Sequence, residues 1–317
     1  MRKQVTDSVL LVRPSVFRKN EQTAVNNFFQ KDIDNLSGEE VNREAQGEFD
    51  ALVNELKSHG ILVTIIQDDE KSESPDSIFP NNIVSFHQDG KIIFYPMFAP
   101  NRRKEHLLDF EGPLKQNGYY VKLIKDLSES ENNRQYLEGT GALVLDRTHR
   151  IAYCALSERA DRAMLDEYCK TENYTPVVFH AFQTVNGERR PIYHTNVVLA
   201  VGEDFAILCP AAIDDKSERE SLLKKLKETG KEIIEINENQ LENFAANCLQ
   251  VRNKYGNRFI VLSNKALSSL TLYQTAQLEK HGKIIHQDLH VIETCGGGSV
   301  RHMMAEVFLP KEKIMDA

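Results

Sequence analysis

One stretch near the C-terminus combines an unusual backbone with reactive side chains. It reads Ile292-Glu293-Thr294-Cys295-Gly296-Gly297-Gly298-Ser299-Val300-Arg301-His302-Met303-Met304-Ala305-Glu306. Three consecutive glycines permit positive φ angles and let another segment or a ligand approach closely. A thiol precedes them, and a guanidinium and an imidazole follow. Because glycine clusters also form ordinary connectors, the stretch indicates a site only if the rest of the chain directs polar residues towards it.

The chain before this stretch repeats one pattern four times. Each repeat predicts a β-hairpin, a helix and a further strand, and the hairpin turns centre near residues 89, 147, 203 and 256. The turns are therefore 58, 56 and 53 residues apart. An internal repeat of this length decides the architecture before any local detail does.

The two chain ends can supply a fifth unit. The N-terminal strand (8–12), helix (39–59) and strand (61–66) lack a hairpin, and the run Val300–Leu309 can complete them. Pairing of the ends closes a ring and leaves no exposed sheet edge. The sequence therefore predicts an α/β fold with five pseudo-repeats in a single domain, residues 1–317, and a long ordered loop over residues 15–38.

A polar residue precedes the first strand of each predicted unit, and such positions converge on the axis of a five-fold ring. These residues are Asp76, Glu138, His194, Asn247 and His302, separated by 62, 56, 53 and 55 positions. Singly, each is explained as a turn residue, a cap, a solvated loop charge or a hydrogen-bonded histidine. In register, they predict one central pocket. Its carboxylates match the paired N–H donors of a guanidinium, and His194 is a candidate general acid/base.

Composition excludes several classes of function. The 317 residues carry a net charge of −8 with both signs interspersed, which disfavours nucleic acid as a partner. No apolar run is long enough for a membrane span or a signal peptide, so we expect a cytoplasmic protein that binds a small molecule. The five cysteines include no CxxC pair, which indicates neither disulfides nor a structural zinc site. The oligomeric state is open, with a homo-oligomer as one alternative.

The motifs around the predicted pocket resemble those of the amidinotransferase-like branch of the pentein (guanidine-modifying) superfamily, and most closely the citrulline-utilisation hydrolase type. The resemblance runs from Leu11 to Pro310. Its motifs are Pro75-Asp76-Ser77-Ile78-Phe79-Pro80-Asn81-Asn82, Asn101-Arg102-Arg103, Leu137-Glu138-Gly139-Thr140-Gly141, Tyr193-His194-Thr195-Asn196 and Gly296-Gly297-Gly298-Ser299-Val300-Arg301. The resemblance implies a five-bladed α/β propeller, the pentein fold. It also implies C–N bond chemistry on an arginine-like or citrulline-like substrate, without a metal or an organic cofactor.

Roles follow from the same resemblance. Asp76 would hold the guanidino or ureido group, Glu138 would orient His194, and His194 would move protons. Further candidates for binding the substrate are Asn81, Asn82, Arg103, Asn196, Asn247 and Arg301.

The sequence departs from the family pattern at its nucleophile, because His302 stands where the family has a cysteine. Cys295 is the one thiol in the glycine stretch, and a nearby imidazolium could lower its pKa. An activated nucleophile needs a fixed position, however, and the repeat places residue 302 at the axis. We therefore expect His302, and not Cys295, to line the pocket.

Three functions remain open at this stage. The first is a C–N hydrolase whose activity is altered or lost, and the second is a non-catalytic binder of a guanidino or ureido ligand. The third is a metal-dependent hydrolase, since two imidazoles and two carboxylates make a plausible ligand set.

Overall fold

Five three-stranded sheets account for most of the strands. The computed structural model describes residues 3–69 and 73–312, so the predicted domain ends at residues 1 and 317 lie outside the described residues. The strands are β1 (Ser8–Arg13), β2 (Leu62–Gln67), β3 (Val84–Phe86), β4 (Lys91–Phe94), β5 (Leu123–Asp126), β6 (Val144–Asp146), β7 (Ile151–Ala155), β8 (Thr175–Phe179), β9 (Phe182–Val185), β10 (Glu188–Pro191), β11 (Leu199–Val201), β12 (Phe205–Leu208), β13 (Glu232–Glu235), β14 (Leu249–Arg252), β15 (Arg258–Ser263), β16 (Lys283–Gln287) and β17 (Ala305–Glu306).

All five sheets share one topology. Their strand orders are β17-β1-β2, β3-β4-β5, β6-β7-β8, β11-β12-β13 and β14-β15-β16. In each, the middle strand pairs antiparallel with the first strand and parallel with the third. The predicted α/β fold and the repeated hairpin with an added strand are confirmed. The pairing of the chain ends is also confirmed, because Val9 lies opposite Glu306 and Leu10 opposite Ala305.

Helices connect the sheet strands and pack on their faces. They are α1 (Glu21–Ala24), α2 (Gly38–Ser58), α3 (Glu111–Gln116), α4 (Gly139–Ala142), α5 (Arg162–Glu172), α6 (Lys216–Glu228), α7 (Glu238–Glu242), α8 (Asn264–Ser269), α9 (Leu272–Glu279), α10 (His290–Gly296) and α11 (Val300–Met303). The longest, α2, starts at a capping box between Ser37 and Glu40, which satisfies backbone N–H groups that have no partner within the helix. One face of it is buried, namely Val41, Ala45, Phe49, Leu52, Val53 and Leu56.

Three local features differ from the predictions. The single helix predicted for the fourth repeat is divided into α8 and α9, because Thr271 caps the start of α9. The predicted strand-like run from Val300 begins instead as α11, whose Arg301 N–H is bound by the Asn247 side chain. The hairpin β9–β10 was missed, although its turn residues Asn186 and Gly187 both have positive φ and Asn-Gly is the strongest short hairpin signal.

Apolar side chains fill the space between neighbouring sheets and under the helices, in four buried clusters. Within residues 3–69 and 73–312, no helix combines the length and the apolar character that crossing a membrane requires.

Candidate active site

The segments that lead into the first strand of each sheet bring the predicted pocket residues together. Glu138 directly precedes α4, and His194 directly precedes a short 3₁₀ helix, Thr195–Val197. Asn247 stands two residues before β14, and His302 lies in α11. With Asp76, all are at most 2% exposed. A buried polar group needs a hydrogen-bond partner, so their mutual contacts decide what the site can do.

Four of these side chains form one hydrogen-bonded row. Glu138 Oε2 lies 2.7 Å from His194 Nε2, and His194 Nδ1 lies 3.3 Å from His302 Nε2. Asn247 Nδ2 lies 3.0 Å from His302 Nδ1 and 3.1 Å from the Asn196 carbonyl oxygen. The planes of the two imidazoles are 26° apart, so the rings meet nearly edge to edge, as an N–H···N bond between them requires. The repeat register thus predicted a set of residues that do meet.

The ionisation of the row follows from its surroundings. Burial alone would raise the pKa of Glu138, but the Arg159 charge and the hydrogen bond from His194 outweigh it and lower that pKa to about 2. Burial lowers the pKa of His194 to about 4, against the opposing effect of Glu138. Burial, followed by the neighbouring His194 and Arg301, holds the pKa of His302 well below its usual value. At neutral pH the row is therefore one carboxylate and two neutral imidazoles.

These charge states fix the direction of each hydrogen bond. An ionised carboxylate can only accept, so His194 Nε2–H donates to Glu138. The lone pair of His194 Nδ1 then accepts from His302 Nε2–H. His302 Nδ1 accepts from Asn247 Nδ2, since Asn247 Oδ1, although 3.2 Å from the same nitrogen, already accepts the Arg301 N–H. Neither imidazole has a free lone pair in this arrangement.

Asp76 lies beside the row. It is held by the segment that connects β1 to α2, residues 14–37. Its Oδ2 accepts hydrogen bonds from Asn20 Nδ2 at 2.8 Å and Thr23 Oγ at 3.0 Å. The Arg102 Nε lies 3.9 Å from the same oxygen. Burial raises the pKa of Asp76, and the Arg102 charge opposes that effect. Within residues 3–69 and 73–312, the buried Oδ1 has no hydrogen-bond partner, which leaves one carboxylate oxygen for a ligand.

Two buried arginines that the sequence did not predict place positive charge beside Asp76 and Glu138. Arg102 binds both oxygens of Glu105, at 2.9 and 3.0 Å, and Asn82 Oδ1 at 2.8 Å. The Arg159 Nη1 lies 3.5 Å from Glu138 Oε2, and its guanidinium stands over the Tyr193 ring. Arg102 is adjacent to the predicted Arg103 in one motif, so a signal for it existed. Nothing in the sequence pattern distinguished Arg159.

The predicted binding residues divide into two groups. Asn81 and Asn82 lie at the site, and the buried Asn81 Nδ2 has no hydrogen-bond partner in the described part of the chain. Asn196 is also buried, and neither of its amide atoms has a partner there. The structure does not bring the other two side chains to the row. Arg103 donates to the carbonyl oxygens of Met97 and Phe98 and pairs with Glu131, and Arg301 binds Glu306 at 2.9 Å and the Met304 carbonyl oxygen.

Cys295 is not among the residues of the hydrogen-bonded row. It lies in α10, within the apolar cluster that packs under α2. Burial raises the pKa of its thiol to about 11, and the charged groups that also act on it are Asp32, Glu48 and Lys19. None of these belongs to the row. Burial likewise raises the pKa of the other four thiols to about 11 or 12, so no cysteine here is a thiolate at neutral pH.

The glycine stretch is ordered, contrary to the reading as a flexible connector. Gly297 has a φ of 61°, and a Cβ added there would lie 2.6 Å from Gln30. Gln30 Nε2 binds the Gly296 carbonyl oxygen at 3.0 Å, and Tyr193 Oη donates to the Gly297 carbonyl oxygen at 2.5 Å. The glycines therefore serve close packing between the segment at 14–37 and the site.

No set of three or more His, Cys, Asp or Glu side chains suited to holding a metal ion occurs within residues 3–69 and 73–312. The arrangement that the metal-dependent alternative needs is therefore not found among the described side chains.

Solved structures with the same fold include arginine-modifying enzymes. ArgZ without ligand, an arginine dihydrolase from the ornithine–ammonia cycle in cyanobacteria, superposes with a TM-score of 0.72 at 16% identity, covering 96% of this chain and 41% of ArgZ. Unliganded AgrE gives 0.71 at 17% identity, over 97% and 40% of the two chains. The adduct of a dimethylarginine dimethylaminohydrolase with S-methyl-L-thiocitrulline gives 0.63 at 14% identity, over 95% and 99%.

This chain spans about two fifths of the length of ArgZ and AgrE, and at these identities the likeness shows the fold alone. No curated protein matches the chain. The family model described as N,N dimethylarginine dimethylhydrolase, eukaryotic, matches residues 13–309. The chain therefore belongs to that family, within the pentein amidinotransferase-like superfamily.

Proposed function

We propose that the five sheets are the blades of a five-bladed α/β propeller formed by one domain over residues 1–317. The shared topology of the sheets and the pairing of β1 with β17 support it. So does the meeting of residues 138, 194, 247 and 302, which belong to different repeats. Asp76, Glu138, His194 and His302 are then the lining of one axial site.

We propose that this site binds an arginine-like or citrulline-like compound through its guanidino or ureido group and hydrolyses a C–N bond of it. The observation that carries the proposal is the buried pair of ionised Glu138 and neutral His194, 2.7 Å apart. A carboxylate bound to an imidazole fixes its tautomer and stabilises the imidazolium formed when it takes a proton. The names of the family and of its structural relatives support the substrate class.

Recognition would rest on the unpartnered polar atoms. Asp76 Oδ1 can accept an N–H of the planar head group, and Asn81 Nδ2 can donate to a ureido oxygen. Both atoms are buried and have no hydrogen-bond partner among the described residues, so a ligand that binds them removes a cost of about 1–3 kcal/mol for each unmade hydrogen bond. A guanidinium at Asp76 would also favour the ionised carboxylate.

Hydrolysis without a thiol requires water as the nucleophile. The water oxygen attacks the planar carbon while its proton passes to His194 Nδ1, and Glu138 stabilises the imidazolium. His194 then gives that proton to the departing amine nitrogen as the C–N bond breaks. His302 must first release His194 Nδ1, which it occupies at 3.3 Å.

A second function is favoured by that same occupied nitrogen. Both nitrogens of His302 are engaged, the lone pair of His194 is taken, and all five thiols are protonated. A protein with these features and an intact Asp76 would bind a guanidino or ureido ligand without converting it.

Turnover and binding distinguish the two functions. The purified chain is incubated with arginine, citrulline and N-methylated arginines, and release of ammonia or methylamine is followed together with the melting temperature. Turnover that Glu138→Gln abolishes, and that the exposed control His286→Ala retains, supports hydrolysis. A rise in melting temperature without product supports binding alone.

The carboxylate at Asp76 is tested in the same assays. Asp76→Asn keeps the shape of the side chain but loses its charge, so it should weaken ligand binding by about 1.5–3 kcal/mol, roughly 10- to 100-fold in Kd. Unchanged affinity, measured by calorimetry for a ligand that the parent chain binds, would remove Asp76 from the site.

A further inference from the structure

A second polar cavity lies at the other end of two of the hairpins. The site residues Asn82 and Glu138 precede strands β3 and β6, whereas this cavity is lined by the turns that follow those strands. It has a volume of about 460 Å³. Its lining residues are His87, Gln88, Asp89, Lys91, Arg147, Arg150, Thr171, Glu172, Asn173 and Tyr174.

The charges of this lining do not cancel. Both acidic residues are already paired, since Lys91 binds Asp89 at 3.1 Å and also binds Glu172. Glu172 is further approached by Lys125 at 3.5 Å. The lining thus has three cationic side chains against two carboxylates, an excess of one positive charge. The guanidinium groups of Arg147 and Arg150 are paired with neither of these carboxylates.

These two guanidinium groups are held in place while many of their donors stay unused. Arg147 is 7% exposed and lies over the Phe308 ring at 4.2 Å, with Glu306 3.5 Å away. Among the described residues, its guanidinium donates no hydrogen bond at normal geometry. Arg150 lies over the Tyr174 ring at 3.8 Å and uses its Nε on the Asn173 carbonyl oxygen. Aromatic stacking of this kind fixes a guanidinium without using its in-plane N–H groups.

A buried imidazole at the same cavity responds to the excess charge. His87 is hydrogen-bonded through Nε2 to Ser85 at 2.7 Å. Burial, and then the charges of Arg147, Lys91 and Arg150, hold the pKa of His87 well below its usual value. The cavity is therefore positive at neutral pH, with a neutral imidazole in its wall.

We propose that this cavity binds a small anion that carries a phosphate group. Planar guanidinium groups match phosphate oxygens bidentately, and those of Arg147 and Arg150 have N–H groups left for such contacts. The volume accommodates a phosphorylated metabolite as well as free phosphate. This site is separate from the axial row and does not depend on the reaction there.

The test uses inorganic phosphate as the probe on the whole chain. Melting temperature and calorimetry are measured in phosphate and in sodium chloride of equal ionic strength, because screening alone changes charge interactions. We expect a saturable rise in melting temperature with phosphate. Arg147→Gln and Arg150→Gln should each raise the Kd at least about tenfold, the loss expected from one charge-assisted contact. Arg162→Gln, at an exposed arginine paired with Asp166, is the control and should bind as the parent does.

Two results would overturn the proposal. The first is that phosphate shows no saturable binding beyond that in chloride, and the second is that Arg150→Gln and the parent bind phosphate with equal affinity. Arg150 is partly exposed, so its variant decides the matter if Arg147→Gln fails to fold. If free phosphate binds as tightly as sugar phosphates and nucleotides do, the phosphate group alone is recognised; tighter binding of one of these identifies the rest of the ligand.

Discussion

At the scale of the residue, the proposed function depends on position 302. The resemblance predicts a nucleophilic cysteine there, and the structure shows an imidazole with both nitrogens hydrogen-bonded. A nucleophile needs a lone pair directed at the substrate carbon, and His302 has none in this arrangement. Under the proposed function, the parent chain therefore either uses water as the nucleophile or only binds its ligand.

His302→Cys should create or raise hydrolase activity toward an arginine-like substrate. The smaller side chain frees the lone pair of His194 Nδ1, which can take the thiol proton and give a thiolate. Removal of the imidazole also leaves Asn247 Nδ2 with a single acceptor, so a loss of about 1–3 kcal/mol in stability is expected. The measurement is ammonia or methylamine release per enzyme, beside urea unfolding.

Cys295→Ala is the companion to that variant and should change turnover little. Its thiol is protonated and lies in the apolar cluster under α2. If Cys295→Ala abolishes turnover that the parent shows, with stability unchanged, then the thiol before the glycines is the nucleophile and the assignment at 302 fails.

Single residues were also where sequence reasoning was least complete. Asp76, Glu138, His194, Asn247 and His302 were predicted because each occupies the same position in its repeat. Arg102 and Arg159 break that register, and their importance arises from burial against Asp76 and Glu138, which only the folded chain shows. Arg103 shows the limit of a motif. It is adjacent to Arg102 in the chain, but the two side chains point to different neighbours.

At the scale of the element, the prediction of hairpins and strands was sound where apolar periodicity was strong. The turns near 89, 147, 203 and 256 are all present. Errors arose where a side-chain cap overrides local preference, as at Thr271 before α9 and at Asn247 beside α11. The glycine stretch ends α10 at Gly297, whose left-handed backbone is a common helix terminus.

Gly297→Ala should destabilise the chain more than Gly230→Ala does. Both glycines have positive φ, 61° and 75°, so both substitutions carry the strain of a left-handed alanine, about 1–2 kcal/mol. Only at Gly297 does the added Cβ meet other atoms, with Gln30 at 2.6 Å and Asn27 at 2.7 Å, whereas nothing lies within 4 Å at Gly230. Overpacking should add about 1–3 kcal/mol, as measured by urea unfolding.

The site should respond to the same change. Gln30 and Asn27 belong to the same segment as Asn20 and Thr23, which donate hydrogen bonds to Asp76. Displacement of that segment should therefore weaken ligand binding in Gly297→Ala and not in Gly230→Ala. Equal stability and equal affinity in the two variants would show that close packing at Gly297 is unimportant.

At the scale of the whole molecule, repetition explains why so much was predictable. Five units of similar length bring equivalent positions together, and the chain ends pair because the first unit lacks its own hairpin. The segment at 14–37 obeys no repeat, and its sequence of asparagines and glutamines did not reveal that it covers the site. Its contacts with Asp76, Arg159 and Gly297 are long-range and have no signature in local periodicity.

The titration of His194 and Glu138 should lower the stability of the chain as the pH drops below about 6.5. His194 changes from a usual pKa of 6.5 to about 4 on folding, and Glu138 from 4.5 to about 2. In both cases the unfolded chain binds a proton at a higher pH than the folded chain does. Between the folded and the unfolded pKa of each group, the unfolded state holds more protons. The free energy of unfolding therefore increases as the pH rises and decreases on acidification.

His194 provides the part of this effect that can be isolated. One unit of pKa shift corresponds to about 1.4 kcal/mol, so between pH 6.5 and 5 this group should account for a loss of about 2 kcal/mol. His194→Gln cannot titrate, and its free energy of unfolding should therefore fall less than that of the parent over this range. His286→Gln, at an exposed histidine, should keep the parent slope. Parallel slopes for the parent and His194→Gln in urea unfolding at pH 7, 6 and 5 would mean that His194 is not held neutral by burial, and the ionisation assigned to the row would then be wrong.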